Sequence, residues 1–558
     1  MKEKNRLLTF RNLGLVMVVI LVATMLNLPV HAQGQPEEPT ILESSTIEAI
    51  DPVFEESEDY DEPPPLTEEQ IAQMEWGLEN THKHPEVDRE AAGGIAGPAP
   101  GTESVLIEER PRSGEPLLPG DNVTYIWTQF GSSIPSGYKS NVMESSTDGK
   151  SRRLFYTGNW FAAYSWDKGL NWTYKSPFSG FPNFCCDQVT IHDGARDIYL
   201  WLRMGSPDAS GENVFKLSVD FAQPFSGPYW TYTIAPTDIN PDWTNEWWDY
   251  PHMQLGADYL YLSWNMFDQY GVWTRTVMLR VNLDSLAAGG SFHGNYYSNS
   301  TWFTFVPVSG AEHTMYFASN WDYPYNRLAI WRWDEDSTGL SSWVKTVAAW
   351  TPTGTGNMHC GSPNWLARGD MRLLTGARYS IYSDGIAQSR QRGRKVVGWW
   401  WNVAEGGSFT HPYIDSAAFY EDNMGQLPGY LGRPYVYNPD YCFSYPSIAP
   451  NHRQDLGAVF NFSKSPYWHK PAVAYSLADD YAPNAPPGWL FWGAAGSTSG
   501  PSDEKWGDYN TTRAYQGLYT WIAGSHFIYP SRSNCSNCSV PLWFSFGRER
   551  DRNNFSYW

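Results

Sequence analysis

Basic side chains are scarce in this chain. Its 558 residues hold 39 Lys and Arg against 60 Asp and Glu, a net charge of −21 at neutral pH. No basic stripe is visible, which excludes nucleic acid as the natural partner, because backbone phosphates are bound by Lys and Arg. Long apolar runs are equally scarce. After Val30 none approaches the ~20 residues that a spanning helix needs, so no membrane span is expected once the N-terminal leader is removed. Cysteines number six: Cys185, Cys186, Cys360, Cys442, Cys535 and Cys538. Cys535 and Cys538 form one isolated Cys-x-x-Cys with no second pair and no thioredoxin-like pattern, so a local disulfide is preferred over a metal or redox site. Cys185 and Cys186 could bridge each other, or each could reach another thiol such as Cys360 or Cys442. With 40 Pro and 48 Gly the composition leaves room for many turns and little helix.

The N-terminus addresses the compartment. Lys2, Lys4, Arg6 and Arg11 precede an apolar run from Leu13 to Val30, and Val30-His31-Ala32 is a small-residue cleavage pattern. This predicts a secretory signal peptide over 1–32, cleaved after Ala32, and a secreted, disulfide-permissive product; left uncleaved, it would be a membrane anchor. Residues 33–105 then hold 19 Asp and Glu against Lys83 and Arg89. So few apolar side chains cannot offset the ordering entropy, and 33–118 is predicted to be a disordered acidic linker. Leu66 to Asn80, with Leu66, Ile71, Met74 and Leu78, is its one helical stretch, expected to be transient in a solvated tail.

What fills the remainder is aromatic: 29 Trp, 35 Tyr and 26 Phe, arranged in a repeat. An extended apolar segment, a turn carrying Asp, Arg or Gly, and an aromatic-rich strand recur. The post-turn strands begin near Arg153, Asp197, Asp258, Thr314, Asp370, Asp455 and Gly517, mostly about 45–60 residues apart with one longer gap. This is the spacing of β-propeller blades. The fold class expected is all-β: one propeller over 119–558, seven-bladed, with six the alternative because of the long interval from Asp370 to Asp455.

Ser165-Trp-Asp167-Lys-Gly169-Leu-Asn-Trp172 is a motif with a physical purpose at each position. Asp167 can accept backbone N–H bonds and close a turn, Gly169 relieves the backbone, and Trp172 packs beneath. The motif resembles the Asp-box, or BNR repeat, of sialidase-like propellers. Such boxes are folding devices, so the resemblance implies architecture rather than chemistry. Trp248-Asp-Tyr-Pro251, Leu260-Tyr-Leu-Ser-Trp-Asn265, Tyr445-Pro-Ser-Ile-Ala-Pro-Asn451 and Lys505-Trp-Gly-Asp-Tyr509 are similar to landmarks of a group of secreted bacterial propellers largely without an assigned activity. Sialidases carry an Arg-Ile-Pro element and three carboxylate-gripping arginines. The element is missing here, and Arg203, Arg378 and Arg433 are a weak substitute, so true sialidase activity is not expected.

Reading back eight to ten residues from each turn places Asp187, Asp249, His252, Glu312, His313 and Asp508 at the start of the innermost strands, converging on one axial mouth. Carboxylates beside imidazoles could hydrolyse a glycosidic bond, hold a divalent ion such as calcium, or only satisfy backbone groups. Asp187, Asp249, His252 and Asp508 are the candidate catalytic residues. Trp247, Trp248, Glu312, His313 and Arg378 are the candidate substrate-binding residues, since aromatic faces stack on sugars. No organic cofactor is expected. The function expected is a monomer that binds, and as a glycoside hydrolase would cleave, an extracellular glycan or polysaccharide. The alternative is a non-catalytic cell-surface scaffold for proteins.

Overall fold

Strands such as Tyr259–Asp268 read as nearly continuous apolar and aromatic runs, and they are buried along almost their whole length. Such runs belong to sheets covered on both faces. The computed structural model describes residues 43–56, 59–60, 66–80, 105–106, 123–130 and, with short interruptions, 144–551. The chain divides after Thr40, and every described residue lies in the second unit.

The fold is all-β, and the described residues form six separate sheets. Five sheets each contain one antiparallel meander, and an eight-stranded sheet contains two, joined by parallel pairing of Val308 with Gly376 and Ser309 with Ala377. Counted along the chain, the first strands of these seven meanders are Ser146–Lys150, Phe184–Asp193, Glu246–Leu255, Val306–Ser309, Leu373–Tyr382, Tyr441–Pro450 and Thr511–Ala514. Each first strand contacts the next, and Thr511–Ala514 returns to Ser146–Lys150, so the contacts run in a cycle. The last meander is completed from the other end of the chain: Val123–Phe130 pairs with Ser539–Arg548. Neighbouring meanders pack face to face through aromatic cores, as Phe215, Trp248 and Trp264 do between the second and third.

The Asp-box joins the third and fourth strands of the first meander, Ala162–Ser165 and Thr173–Lys175. Gly169 N–H donates to Ser165 Oγ at 2.8 Å, and Asn171 N–H donates to Asp167 Oδ1 at 2.8 Å. Gly169 has φ +79°, where a side chain would be strained.

The acidic segment departs from the disordered linker expected. Glu43–Thr46 pairs with Gly294–Asn299, Val53–Glu55 with Tyr229–Ile234, and Asp59–Tyr60 with Thr173–Lys175. These strands extend the outer edges of the third, second and first meanders in turn. Val105–Leu106 does the same for the sixth. Backbone pairing to an exposed edge needs no apolar side chains, which is why composition is silent about it. Glu55 adds ion pairs to Lys216 at 3.0 Å and Arg203 at 3.7 Å. The helix Glu68–Asn80 forms and docks. Thr67 and Gln70 exchange bonds in a capping box, and Met74 is buried against Phe178, Phe181 and Phe184. Among the described residues no helix is long and apolar enough to cross a membrane.

Among the described residues two disulfides are present: Cys185–Cys186 and Cys360–Cys442. The Cys535–Cys538 pairing falls outside the described residues.

Candidate functional site

The first strands share a device that aims side chains at one end of the cycle. Pairing registers slip between Cys186 and Gln188, Asp249 and His252, Leu373 and Thr375, and Ser444 and Ser447. The extra residues include Asp187, Tyr250 and Tyr445, all with φ between +33° and +55°. A bulge re-aims a side chain, and a left-handed non-glycine residue persists only where its surroundings hold it.

Asparagines do the holding. Asp187 N–H donates to Asn159 Oδ1, Trp248 N–H to Asn213, Thr304 N–H to Asn265, Leu373 N–H to Asn320 and Tyr445 N–H to Asn402, at 2.8–3.1 Å. Asn510 Nδ2 donates to Asn461 Oδ1 at 2.7 Å. Each asparagine belongs to one meander and grips the start of the next. All six are buried, where an unmet backbone N–H would be costly.

Tyr509 lies at the centre of the resulting cluster. Burial pushes its phenol well above the ordinary range, and Asp187, Glu144 and Asp508 push it further; Arg372 opposes them. The phenol therefore stays protonated at neutral pH. The Arg372 guanidinium lies 4.2 Å over the Tyr250 ring. Burial, reinforced by Arg372, lowers His252 to about 3, so its imidazole is neutral. Residues of the first, second, third, fifth and seventh meanders thus bear on one point.

Below it runs a cavity of ≈ 60 Å³ lined by first-strand residues from Ser146 to Arg513, with His252 and Tyr509 among them. That volume admits a few waters and falls far short of the roughly 300–1,000 Å³ of small-molecule pockets. Arg513 spans the axis farther in, donating to Gln254 Oε1 and Thr190 O at 3.3 Å, with Asp148 at 3.7 Å. A ligand of this cluster would sit at the mouth and not inside the channel.

The sequence-predicted residues divide. Asp187 and Asp508 both act on Tyr509, and His252 lines the same cavity as Tyr509. Asp249 is wholly buried, and its Oδ1 accepts the Tyr250 N–H at 2.8 Å, so it braces the bulge. Trp247 and Trp248 are corrected: both are core. Trp248 is 0% exposed between Phe215 and Trp264, and Trp247 stacks on Phe267 while its Nε1 donates to Asp268 O. Glu312, His313 and Arg378 are also corrected. Glu312 and His313 form the turn after Val306–Ser309, at the end remote from the bulges. Arg378 lies four residues beyond Leu374 and is spent on Glu421, Glu312 and Ala311 O. Arg203, Arg378 and Arg433 make no common grip; Arg203 donates to Pro177 O and Ser179 O, and Arg433 pairs with Asp415.

Sequence reasoning missed Glu144, Arg372 and Tyr509. Tyr509 stands beside Asp508 and could have been read; Arg372 follows a long insertion that disguises its strand. Among the described residues, the side chains arranged to hold a metal ion are Asp258, His313 and Glu335, away from the mouth.

No family model and no curated protein sequence matches the chain. Similar solved structures are glycan-acting enzymes. An α-L-arabinofuranosidase of Fusarium graminearum aligns over 76% of this chain and 98% of its own at 8% identity, with a TM-score of 0.36. An α-L-arabinanase of Penicillium chrysogenum aligns over 77% and 98% at 8% identity, TM-score 0.35. The NanB sialidase of Streptococcus pneumoniae aligns over 64% and 70% at 10% identity, TM-score 0.36. Likeness at this level carries no argument about activity.

Proposed function

We propose that this chain is a secreted, seven-bladed β-propeller that binds an extracellular glycan or polysaccharide at its axial mouth. Each meander is one blade. The cyclic contact of first strands and the pairing of Val123–Phe130 with Ser539–Arg548 support closure. The two disulfides support an oxidising compartment, reached through cleavage after Ala32. One observation carries the functional reading: carboxylates from three blades and a guanidinium from a fourth act on a single phenol at the mouth. Polar groups converging from separate elements are what recognition of a hydroxyl-rich ligand needs. On this reading Asp187 and Asp508 act as acid and base on a glycosidic bond, and Tyr509 donates to a sugar oxygen.

The test is a screen of the purified mature protein against diverse polysaccharides, reading retention and released sugar. Retention that Asp187→Asn and Asp508→Asn abolish is expected. Released sugar would extend binding to cleavage. A protein that retains no glycan, or retains it equally with both carboxylates neutralised, overturns the reading in favour of a protein-binding scaffold.

A further inference from the structure

Asp258, His313 and Glu335 lie at the end of the third and fourth meanders opposite the bulges. Asp258 occupies the turn before Tyr259–Asp268, His313 the turn before Thr314–Ser319, and Glu335 follows Arg327–Asp334. His313 Nδ1 is 3.2 Å from Glu335 Oε2 and 3.9 Å from Asp258 Oδ2, and the three donor atoms lie within 4.8 Å of one another. Ligands about 2.0–2.2 Å from a tetrahedral zinc stand roughly 3.3–3.6 Å apart, so two measured edges bracket that value.

The surroundings orient these groups as outer-shell partners orient metal ligands. Asp258 N–H donates to both Glu335 oxygens, at 3.1 and 3.2 Å. Arg196 lies 3.5 Å from Asp258 Oδ1, leaving Oδ2 toward His313. Gly256 makes the close approach feasible: a Cβ there would stand 2.1 Å from Glu335 Oε1. Glu335 is buried.

We infer that Asp258, His313 and Glu335 form a divalent transition-metal site, zinc by its ligand chemistry, which staples the third meander to the fourth. One imidazole nitrogen with two carboxylates suits zinc, whereas calcium takes six to eight oxygens. His313 so acquires a role unrelated to the mouth, and the inference stands whether or not a glycan binds there.

The test uses the full-length mature protein, stripped with chelator and dialysed. Zinc chloride, added to one equivalent, is expected to bind in calorimetry and to raise the melting temperature; magnesium and calcium at the same concentration are expected to do neither. His313→Ala, at a side chain 77% exposed and so free of folding consequences, should weaken zinc binding by ~100-fold and remove the shift. Asp258→Asn should weaken it less. Absence of binding heat and thermal shift in the parent overturns the inference. So does a zinc-induced shift that survives His313→Ala, or one that calcium reproduces.

Discussion

The two ends of the first strands are built from similar residues and do different work. At the remote end several turns are tied to their neighbours by matched charges. Asp197 receives Arg153 at 3.0 Å and Lys150 at 3.4 Å, Arg378 bridges Glu312 and Glu421, and Arg453 pairs with Asp551. At the mouth, bulges and asparagines fix the backbone, and carboxylates from different meanders meet at Tyr509. Charge that recurs with the repeat closes turns; charge that appears in only some repeats is where chemistry can gather.

Four measurements would break or sharpen this contrast. The largest effect belongs to neither end. Trp248→Ala empties a packed site between two meanders and should cost ~3–5 kcal/mol, read as a lower denaturation midpoint. Unchanged stability would return Trp248 to the ligand surface. At the remote end, Arg378→Ala strands the Glu312 and Glu421 carboxylates, both partly solvated, and should cost about 1–3 kcal/mol while leaving glycan retention intact. Acid is the third probe. His252 titrates near 3 in the fold and near 6.5 unfolded. Its contribution is therefore complete above pH 6.5 and is lost as pH falls, by up to ~1.4 kcal/mol per pH unit. Burial raises Asp148 to about 6 and Asp220 to about 7, which acts with the opposite sign, favouring the fold at lower pH. The readout is therefore the difference between parent and His252→Gln: the variant's stability should fall less steeply between pH 6.5 and 4. The smallest stability change is expected at the mouth, where Asp508→Asn keeps shape and should stay within about 1 kcal/mol of the parent while losing retention.

Repetition was legible and its phase was not. The strands after Arg153, Asp197, Asp258, Asp455 and Gly517 are second strands of meanders, as the pattern implies. Asp370-Met-Arg-Leu-Leu374 instead leads into a first strand, Leu373–Tyr382, and the true second strand is Arg392–Val403. That one-strand shift in phase produced the long interval, and the insertion before Leu373 hid Arg372. In the fourth unit Glu312 and His313 are themselves the turn, whereas the strand begins at Val306. Trp247 and Trp248 misled because a half-exposed loop and a doubly covered sheet favour the same side chain, and only packing tells them apart. The asparagine clamp was in plain view, since Asn159, Asn265, Asn320, Asn402 and Asn461 each lie in, or just after, the second strand of a meander. A polar residue at a strand end reads as a turn former until its partner, about 30–55 residues later, is known.

Pairing Val123–Phe130 with Ser539–Arg548 also orders events in time. The strand made early must wait for a partner made much later. Until synthesis reaches the final hairpin, the polypeptide carries an unmatched edge and cannot lock. Such delay leaves holdase chaperones a long interval in which to act.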